Sequence, residues 1–332
     1  MNAECKNDVD YIHRHFYEQA IAKIADCAWA GHGHELHISG ENINDTVNRV
    51  LPGADWAIVN DVAQIRFYYP VRFSEKRICK IAYITGDVYW NPPVAASRYN
   101  RGNWDVFLMG QTRLDTYIPS STNRIPQKAD PDFYFKHLNA PIFHSAHSIN
   151  PEWYKPLDRE KEYDVCFLGA HSQYYPLRVP IWNQLPRLAK RNKWRVLVRG
   201  SPPGTSYLRK IDVLLKEGYI VGKKYAETLA LTKIFIFSSG GSKLAVKKYY
   251  EGMASGACVL ADTPMCAEEL HFEPGVNFVE INKKNWKDKL KYYLKHDEER
   301  EEIARRGYET AMKYHTNDVR ARQLVDFLEE HR

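Results

Sequence analysis

Short apolar runs bounded by turn residues alternate with helix-compatible segments along this chain, and the alternation occurs twice. The first series holds DWAIVN (55–60), KIAYIT (80–85), DVFLM (105–109) and PIFHSA (141–146). The second holds DVCFLG (164–169), WRVLVRG (194–200), GYIVG (218–222), KIFIFSS (233–239), ACVLAD (257–262) and NFVEI (277–281). Continuous apolar runs of this length suit strands of a parallel sheet buried on both faces. Strand and helix in strict alternation, broken near residues 148–162, predict two α/β domains with parallel sheets. The length of 332 residues agrees with two domains. In such sheets ligands bind beyond the carboxyl ends of the strands.

Between the runs, residues 9–30 read as a helix with Asp8 as its cap, and HELHIS (34–39) as a short strand. Residues 42–51 read as a helix ended by Pro52-Gly53, and 118–140 as a long polar loop. Residues 177–191 are helical in pattern, and Pro180 and Pro186 predict a kink or a late start there. Helices are also predicted over 206–217, 226–231 and 244–255, the last ended by Gly256 as a C′ glycine. From 283 to 332 nearly everything is helix, with many i,i+4 charge pairs.

Composition narrows the class. Apolar residues make up 44% and charged residues 27%, which sets disorder aside. The 22 Tyr and 8 Trp suit stacking on sugars or bases, and equally fill cores. No run of about 18 apolar residues is present, so no membrane span is expected. The polar start MNAECKNDVD lacks the apolar stretch of a signal peptide, which predicts a cytoplasmic protein. Cys5, Cys27, Cys79, Cys166, Cys258 and Cys266 form no CxxC pair, and are expected as reduced core residues rather than zinc ligands. The net charge of +6 lies in the C-terminal half: residues 1–150 carry 15 Lys+Arg against 16 Asp+Glu. A pyrophosphate-bearing ligand or nucleic acid would suit that distribution, and so would a solvated basic surface on helices such as KKNWKDKLKYYLK.

The segment SSGGSKLAVKKYYEGMASGACVLADTP (238–264) carries most of the chemistry. It reads as strand, Gly-rich turn, basic helix start and strand. Ser238, Ser239, Gly240, Gly241 and Ser242 can bring backbone N–H groups to an anion, and a helix start beyond them adds unpaired amides. Lys243, Lys247 and Lys248 add positive charge where it opposes the helix dipole, which a bound anion would explain. The bland alternative is a turn before an exposed basic helix. Glu251, one turn on, is placed to accept two hydrogen bonds from a ribose diol, or to pair with Lys247 and Lys248.

The run K-K-Y-Y-E-G-M-A-S-G-A-C-V-L-A resembles the donor-site segment of group 1 glycosyltransferases, whose pattern is E-A-M-A-S-G-x-P-V-V. The nearer likeness is to the CgeB/YkvP-like branch. EYDVCFLGAHSQYYPLR, GYIVGKKYAETLALTKIFIFSS and EEREEIARRGYETAMKYHTNDVRARQLVDFL resemble, in order, its second-domain opening, the elements before the donor site and the C-terminal helices. The likeness covers about residues 140–330. In the first half, AGHGHELHI and KIAYITGDVYWNP resemble a strand opening and a strand ending in an acidic residue. The usual first strand and glycine loop are not visible. Lys243 stands where the family's E-x(7)-E pattern has its first Glu, so no donor-sugar contact and no stereochemical outcome is carried over.

What the resemblance implies is a GT-B glycosyltransferase: two Rossmann-like domains facing across a cleft. Residues 1–150 would form the acceptor side, 151–315 the donor side, and 316–332 a helix returning to the first domain. The co-substrate would be a nucleotide sugar, UDP-linked, with no metal or other cofactor implied. Glu251 would hold the donor ribose, and Lys247 and Lys248 the diphosphate. Val221 and Tyr225 would lie beside the nucleobase. Arg199, ending WRVLVRG, is a candidate cation for the leaving diphosphate, or a surface ion pair. An inverting transfer needs a general base; Asp87 is the first candidate, His147 the second, with His144 behind it. The acceptor is open: glycan, protein, small molecule or nucleic acid. Two other readings stand beside this one. One is a glycosyltransferase acting on hydroxymethylated DNA bases, for which Arg66, Arg72, Lys76, Arg77 and Lys80 offer a local basic patch. The other is a non-catalytic nucleotide- or sugar-binding protein of the same fold.

Overall fold

The computed structural model describes residues 9–31, 34–60, 74–85, 91–114, 116–117, 127–172, 174–202 and 210–332. Two compact units emerge. The first is chiefly Arg14–Ala146 with Arg320–Arg332, and the second chiefly His147–Val319.

Four parallel strands form the sheet of the first unit: β1 (Trp56–Asn60), β2 (Lys80–Ile84), β3 (Val106–Met109) and β6 (Ile142–His144). They lie side by side in that order, with Ile58 opposite Ala82, Tyr83 opposite Phe107, and Leu108 opposite Phe143. A two-stranded antiparallel ribbon of β4 (Thr116–Tyr117) and β5 (Gln127–Lys128) stands apart. Alternate strand residues point to opposite faces. On one face Ile81, Tyr83, Phe107 and Met109 pack with residues of α2 (Ile43–Val50), α3 (Pro92–Tyr99) and α4 (Phe133–His137). On the other, Ala82, Val106 and Leu108 meet Ala20 and Ile21 of α1 (Val9–Ala22) and Ala321, Leu324, Val325 and Leu328 near the C-terminus. Burial on both faces explains the continuous apolar runs. Asn42 caps α2, its side chain accepting from the Asn44 amide at 2.9 Å.

Five parallel strands build the sheet of the second unit: β7 (Tyr163–Leu168), β8 (Val196–Arg199), β9 (Thr232–Ile236), β10 (Cys258–Ala261) and β11 (Val279–Glu280). Their spatial order is β11-β10-β9-β7-β8. The chain therefore starts at an inner strand, steps outward to β8, and returns across β7 to β9. Helices α5 (Arg178–Asn192), α6 (Ile211–Lys216), α7 (Gly222–Ala230), α8 (Lys248–Ala254), α9 (Trp286–Tyr293) and α10 (Asp297–Tyr314) belong to this unit. The last helix, α11 (Asn317–Glu330), carries the C-terminal apolar residues of the first unit. Val165, Phe167, Ile181, Leu185, Ile234, Ile236, Leu260 and Trp286 form one apolar core.

Several sequence expectations are corrected: the first helix ends at Ala22 rather than 30, and α4 lies within the stretch 118–140 read as a loop. HELHIS is no strand: residues 34–41 turn, with His37 N–H donating to the His34 carbonyl and Leu36 and Ile38 about half exposed. An isolated alternating run with no neighbour to pair with does not make a ladder. GYIVG is no strand either. Gly218 and Gly222 have φ of 85° and 59°, and Val221 is the N-cap residue of α7, so the glycines convert the run into a helix-to-helix turn. Helix α8 opens at Lys248 rather than 244. Lys243 has φ 51° and Val246 N–H bonds back to the Leu244 carbonyl, a tight turn that excludes helix over 243–247. Its far end is as expected: Gly256 at φ 69° closes a Schellman motif, with Gly256 N–H to Met253 and Ala257 N–H to Gly252. In α5, Pro180 lies in the first turn and Pro186 inside the helix, which starts at Arg178.

Candidate active site

In an open parallel sheet, the loops leaving two neighbouring strands part where the strand order reverses, and a crevice opens at the carboxyl ends. In the second unit that point is β7, with β8 to one side and β9 to the other. A cavity of about 180 Å³ lies there. Leu168 and Gly169 leave β7, Arg199 and Gly200 leave β8, Val221 and Tyr225 come from the start of α7, and Lys248 and Glu251 from the first turn of α8. Tyr154 closes one wall.

Glu251 is 6% exposed, and a buried carboxylate needs donors. Tyr154 supplies one, its hydroxyl 3.0 Å from Oε1. Tyr225 lies close enough to feel the same charge. Burial raises both phenols well above the ordinary range and the Glu251 charge raises them further, so both stay protonated as donors. Lys248 reaches the same cluster. Its Nζ lies 3.3 Å from the Tyr225 hydroxyl and 5.2 Å from the centre of that ring. Burial pushes this ammonium down to about 8; the Glu251 charge works against the shift and the Arg178 charge adds to it.

Room for Lys248 depends on Gly169. A Cβ there would sit 2.8 Å from Lys248 Cε and 3.0 Å from Nζ, and φ at 138° is in the region that side chains avoid. Arg178 is 3% exposed, stacks 3.8 Å over the Tyr175 ring, and donates through Nε to the Ser238 carbonyl at 2.7 Å and through NH1 to Ala170 at 3.2 Å. It thereby ties the end of β7 to the turn after β9.

That turn is well ordered by its own bonds. Ser239 N–H and Oγ–H donate to Asp262 at 2.7 and 2.5 Å, and the Tyr249 hydroxyl donates to the Asp262 carbonyl at 2.5 Å. Gly241 N–H donates to the Tyr174 carbonyl, and the Tyr174 hydroxyl lies 2.6 Å from Ser242 Oγ. Gly240 admits the Tyr174 ring, since a Cβ would meet it at 2.3 Å. The amides of Ser239, Gly241 and Lys243 are therefore spent within the chain.

Of the residues singled out in the sequence, Arg199, Val221, Tyr225, Lys248 and Glu251 come together around one cavity. Ser239, Gly240, Gly241, Ser242, Lys243 and Lys247 are not among its lining residues. Lys243 is exposed, and Lys247 stands just before α8. His147 is exposed in the second unit, edge-on to Tyr250 at 5.9 Å, whereas His144 ends β6 in the first unit opposite Met109. Asp87, Arg66 and Arg72 lie outside the described residues. Two other members of the basic patch are engaged: Arg77 bonds Asp105 at 3.0 Å and Lys80 donates to the His331 carbonyl at 2.5 Å. Sequence reasoning missed Tyr154, Gly169 and Asp262 as site residues. It noted Arg178 only within the YYPLR turn. Tyr154 sits in the break between the two series, where no periodic pattern marks it.

Among the described residues no helix is long and apolar enough to cross a membrane, and no His/Cys/Asp/Glu group has metal-site geometry. Cys27, Cys79, Cys166, Cys258 and Cys266 form no disulfide.

Comparison with known proteins bears on this architecture. Residues 178–326 match the family described as glycosyl transferase-like, a stretch just short of half the chain. A sucrose-phosphate synthase from Thermosynechococcus elongatus superposes with a TM-score of 0.62, over 98% of this chain and 96% of that one, at 11% identity. The fold is GT-B. A second GT-B neighbour, HepE of Anabaena, solved with UDP-glucose, gives a TM-score of 0.51 at 13% identity, over 76% of this chain and 72% of its own. At such identities the likeness is one of fold. No curated protein sequence matches the chain. The family match contains Arg178, Arg199, Val221, Tyr225, Lys248 and Glu251, but neither Tyr154 nor Gly169.

Proposed function

We propose that this chain is a glycosyltransferase of the CgeB/YkvP-like kind, which binds a UDP-linked hexose in the second unit and transfers the hexosyl group to an acceptor hydroxyl. One observation carries the reading: a carboxylate and an ammonium, Glu251 and Lys248, share a cavity at the point where the sheet reverses. A nucleoside diphosphate presents both a diol for a carboxylate and an anion for an ammonium. Lys248 spends one of three donors on Tyr225 and keeps the others for phosphate oxygens. Arg199 adds a fixed cation for the leaving diphosphate. These two residues supply positive charge without a metal ion. Val221 and Tyr225 flank the base. The cavity is smaller than the roughly 300–1,000 Å³ of a complete small-ligand site, so it takes the nucleoside part and the sugar extends beyond it. That the neighbour HepE was solved with UDP-glucose supports the choice of nucleotide.

Transfer to an acceptor requires a proton to leave its hydroxyl. Asp87 is the first proposed base and His147 the second, with residues 1–150 as the acceptor side and the cytoplasm as the location. Acceptors within nucleic acid are disfavoured by the engagement of Arg77 and Lys80. The test is twofold. Calorimetric titration with UDP should show binding, and UDP-glucose or UDP-N-acetylglucosamine should slowly release UDP. Tight UDP binding with no turnover of either sugar would favour a non-catalytic protein of this fold. Absence of any nucleotide binding would refute the proposal.

A further inference from the structure

We infer that Tyr154 is a positioning residue: it fixes the Glu251 carboxylate so that the site reads the ribose cis-diol and distinguishes ribonucleotides from deoxynucleotides. This rests on the donor-site reading above. A carboxylate offers about four lone-pair positions. Tyr154 takes one at Oε1, which leaves enough for the two hydroxyls of a cis-diol. A carboxylate free to rotate would meet a diol in many poses; one pinned by a clamped phenol meets it in one.

The two phenols are not equivalent. Tyr225 lies on α7 and accepts from Lys248 at 3.3 Å, so its hydroxyl is engaged with the cation. Tyr154 bonds Glu251 directly, and its backbone is held at both ends. Upstream, Ile149 N–H donates to the His315 carbonyl and Asn317 N–H to the Ile149 carbonyl. Trp153 and Tyr154 amides both close on the Asn150 carbonyl, and the Asn150 side chain accepts from Glu152 N–H at 3.0 Å. Downstream, Pro156 packs on Gly256, where a Cβ would approach to 2.9 Å. Lys161 then donates to the Ala230 and Gly256 carbonyls at 2.7 and 3.2 Å. The phenol is thus delivered from a segment clamped against the ends of α7 and α8, the helices that carry the site. A mere space-filling role would not need the hydroxyl.

The experiment compares UDP with 2′-deoxy-UDP and 3′-deoxy-UDP by calorimetry on the full chain. Wild type should bind each deoxy form about tenfold or more weakly, the loss expected of one hydrogen bond to a charged group. In Tyr154→Phe, UDP itself binds about tenfold more weakly and the deoxy penalty shrinks severalfold, while melting curves verify the fold. Because Tyr154 acts through Glu251, the double variant with Glu251→Gln should match Glu251→Gln alone rather than sum the two losses. In Tyr225→Phe, which leaves Tyr154 in place, the deoxy penalty should persist. An undiminished penalty in Tyr154→Phe, additive losses in the double variant, or loss of the penalty in Tyr225→Phe would overturn the inference. If Glu251→Gln erases the penalty while Tyr154→Phe leaves it intact, the donor site stands and only the Tyr154 role falls. If wild type binds no UDP, both fall.

Discussion

Both sheets are parallel and covered on two faces, yet they are wound differently. In the first unit β1, β2, β3 and β6 follow one another across the sheet in a single direction. In the second the chain enters between strands, moves out to β8 and crosses back to β9. Only the second winding separates neighbouring connections and opens a crevice at the strand ends. Charge follows topology. Beyond the strands of the second sheet stand Arg178, Arg199, Lys248 and Glu251. Beyond those of the first, among the described residues, Thr85, Gln111 and Thr112 are buried and uncharged, and the charged Arg113 is half exposed and pairs with Asp132 at 3.7 Å. Two sheets built by one physical rule thus differ in chemistry because one reverses its order and the other does not.

The sharpest way to break this comparison is to remove the carboxylate from the reversing sheet. Glu251→Ala should lower UDP affinity by about a hundredfold or more, because two charge-assisted hydrogen bonds are lost together. Gln111→Ala, beyond β3, should leave UDP affinity unchanged. Titration calorimetry on the two variants decides it, and a large loss in Gln111→Ala would erase the distinction between the units.

The glycines that follow the strands offer a smaller but cleaner contrast. Gly169 after β7 has φ 138° and would drive a Cβ into Lys248. Gly110 after β3 would meet nothing nearer than the Ser145 carbonyl at 3.9 Å. Gly169→Ala should cost about 1–3 kcal/mol of stability and, by displacing the ammonium, weaken UDP binding about thirtyfold. Gly110→Ala should change neither by more than about 0.5 kcal/mol. Urea unfolding and UDP titration of the pair measure both.

These contrasts show how far the sequence could be read. The parallel sheets were legible because double burial writes continuous apolar runs, and all four runs of the first series became strands. Lys248 and Glu251 were legible because they share one helical turn beside a glycine-rich bend. The helix start was not, since residues 243–247 have helix-compatible side chains, and the φ of Lys243 with the tight turn at 244–246 holds the helix off. GYIVG misled for the opposite reason: its apolar residues suit a strand, and its flanking glycines bend the backbone away from one. Tyr154 left no signal, because its role depends on a partner 97 positions away. The strand reversal was equally hidden, being a property of pairing rather than of any one segment.

The buried lysines extend the comparison to pH. Burial pushes Lys248 and Lys161, both in the second unit, down to about 8. An unfolded lysine titrates near 10.4, so between about pH 8 and 10 the unfolded chain holds protons that the folded chain has released. Stability therefore rises with pH across that window, and Lys248→Met should flatten the rise. UDP affinity runs the other way, since only the ammonium attracts phosphate, and should fall about tenfold between pH 7 and 9. Melting curves and UDP titrations at pH 7, 8, 9 and 10 test both slopes. An affinity flat through pH 9 would remove Lys248 from the phosphate site.

The least effect is expected at the basic residues of the first unit. Arg77 bonds Asp105 Oδ2 at 3.0 Å, and the same oxygen accepts from the Ile81 amide at 2.8 Å, so the carboxylate keeps a partner when the arginine is removed. The pair is about three-quarters buried on each side. Arg77→Ala should therefore cost no more than about 1 kcal/mol of stability and leave UDP affinity unaltered. If the first unit instead held DNA, the same change would weaken duplex binding and lower the salt slope by about one. Duplex titrations at several salt concentrations separate the two: an arginine already committed to Asp105 gives no change in slope, whereas one that leaves Asp105 for a phosphate does.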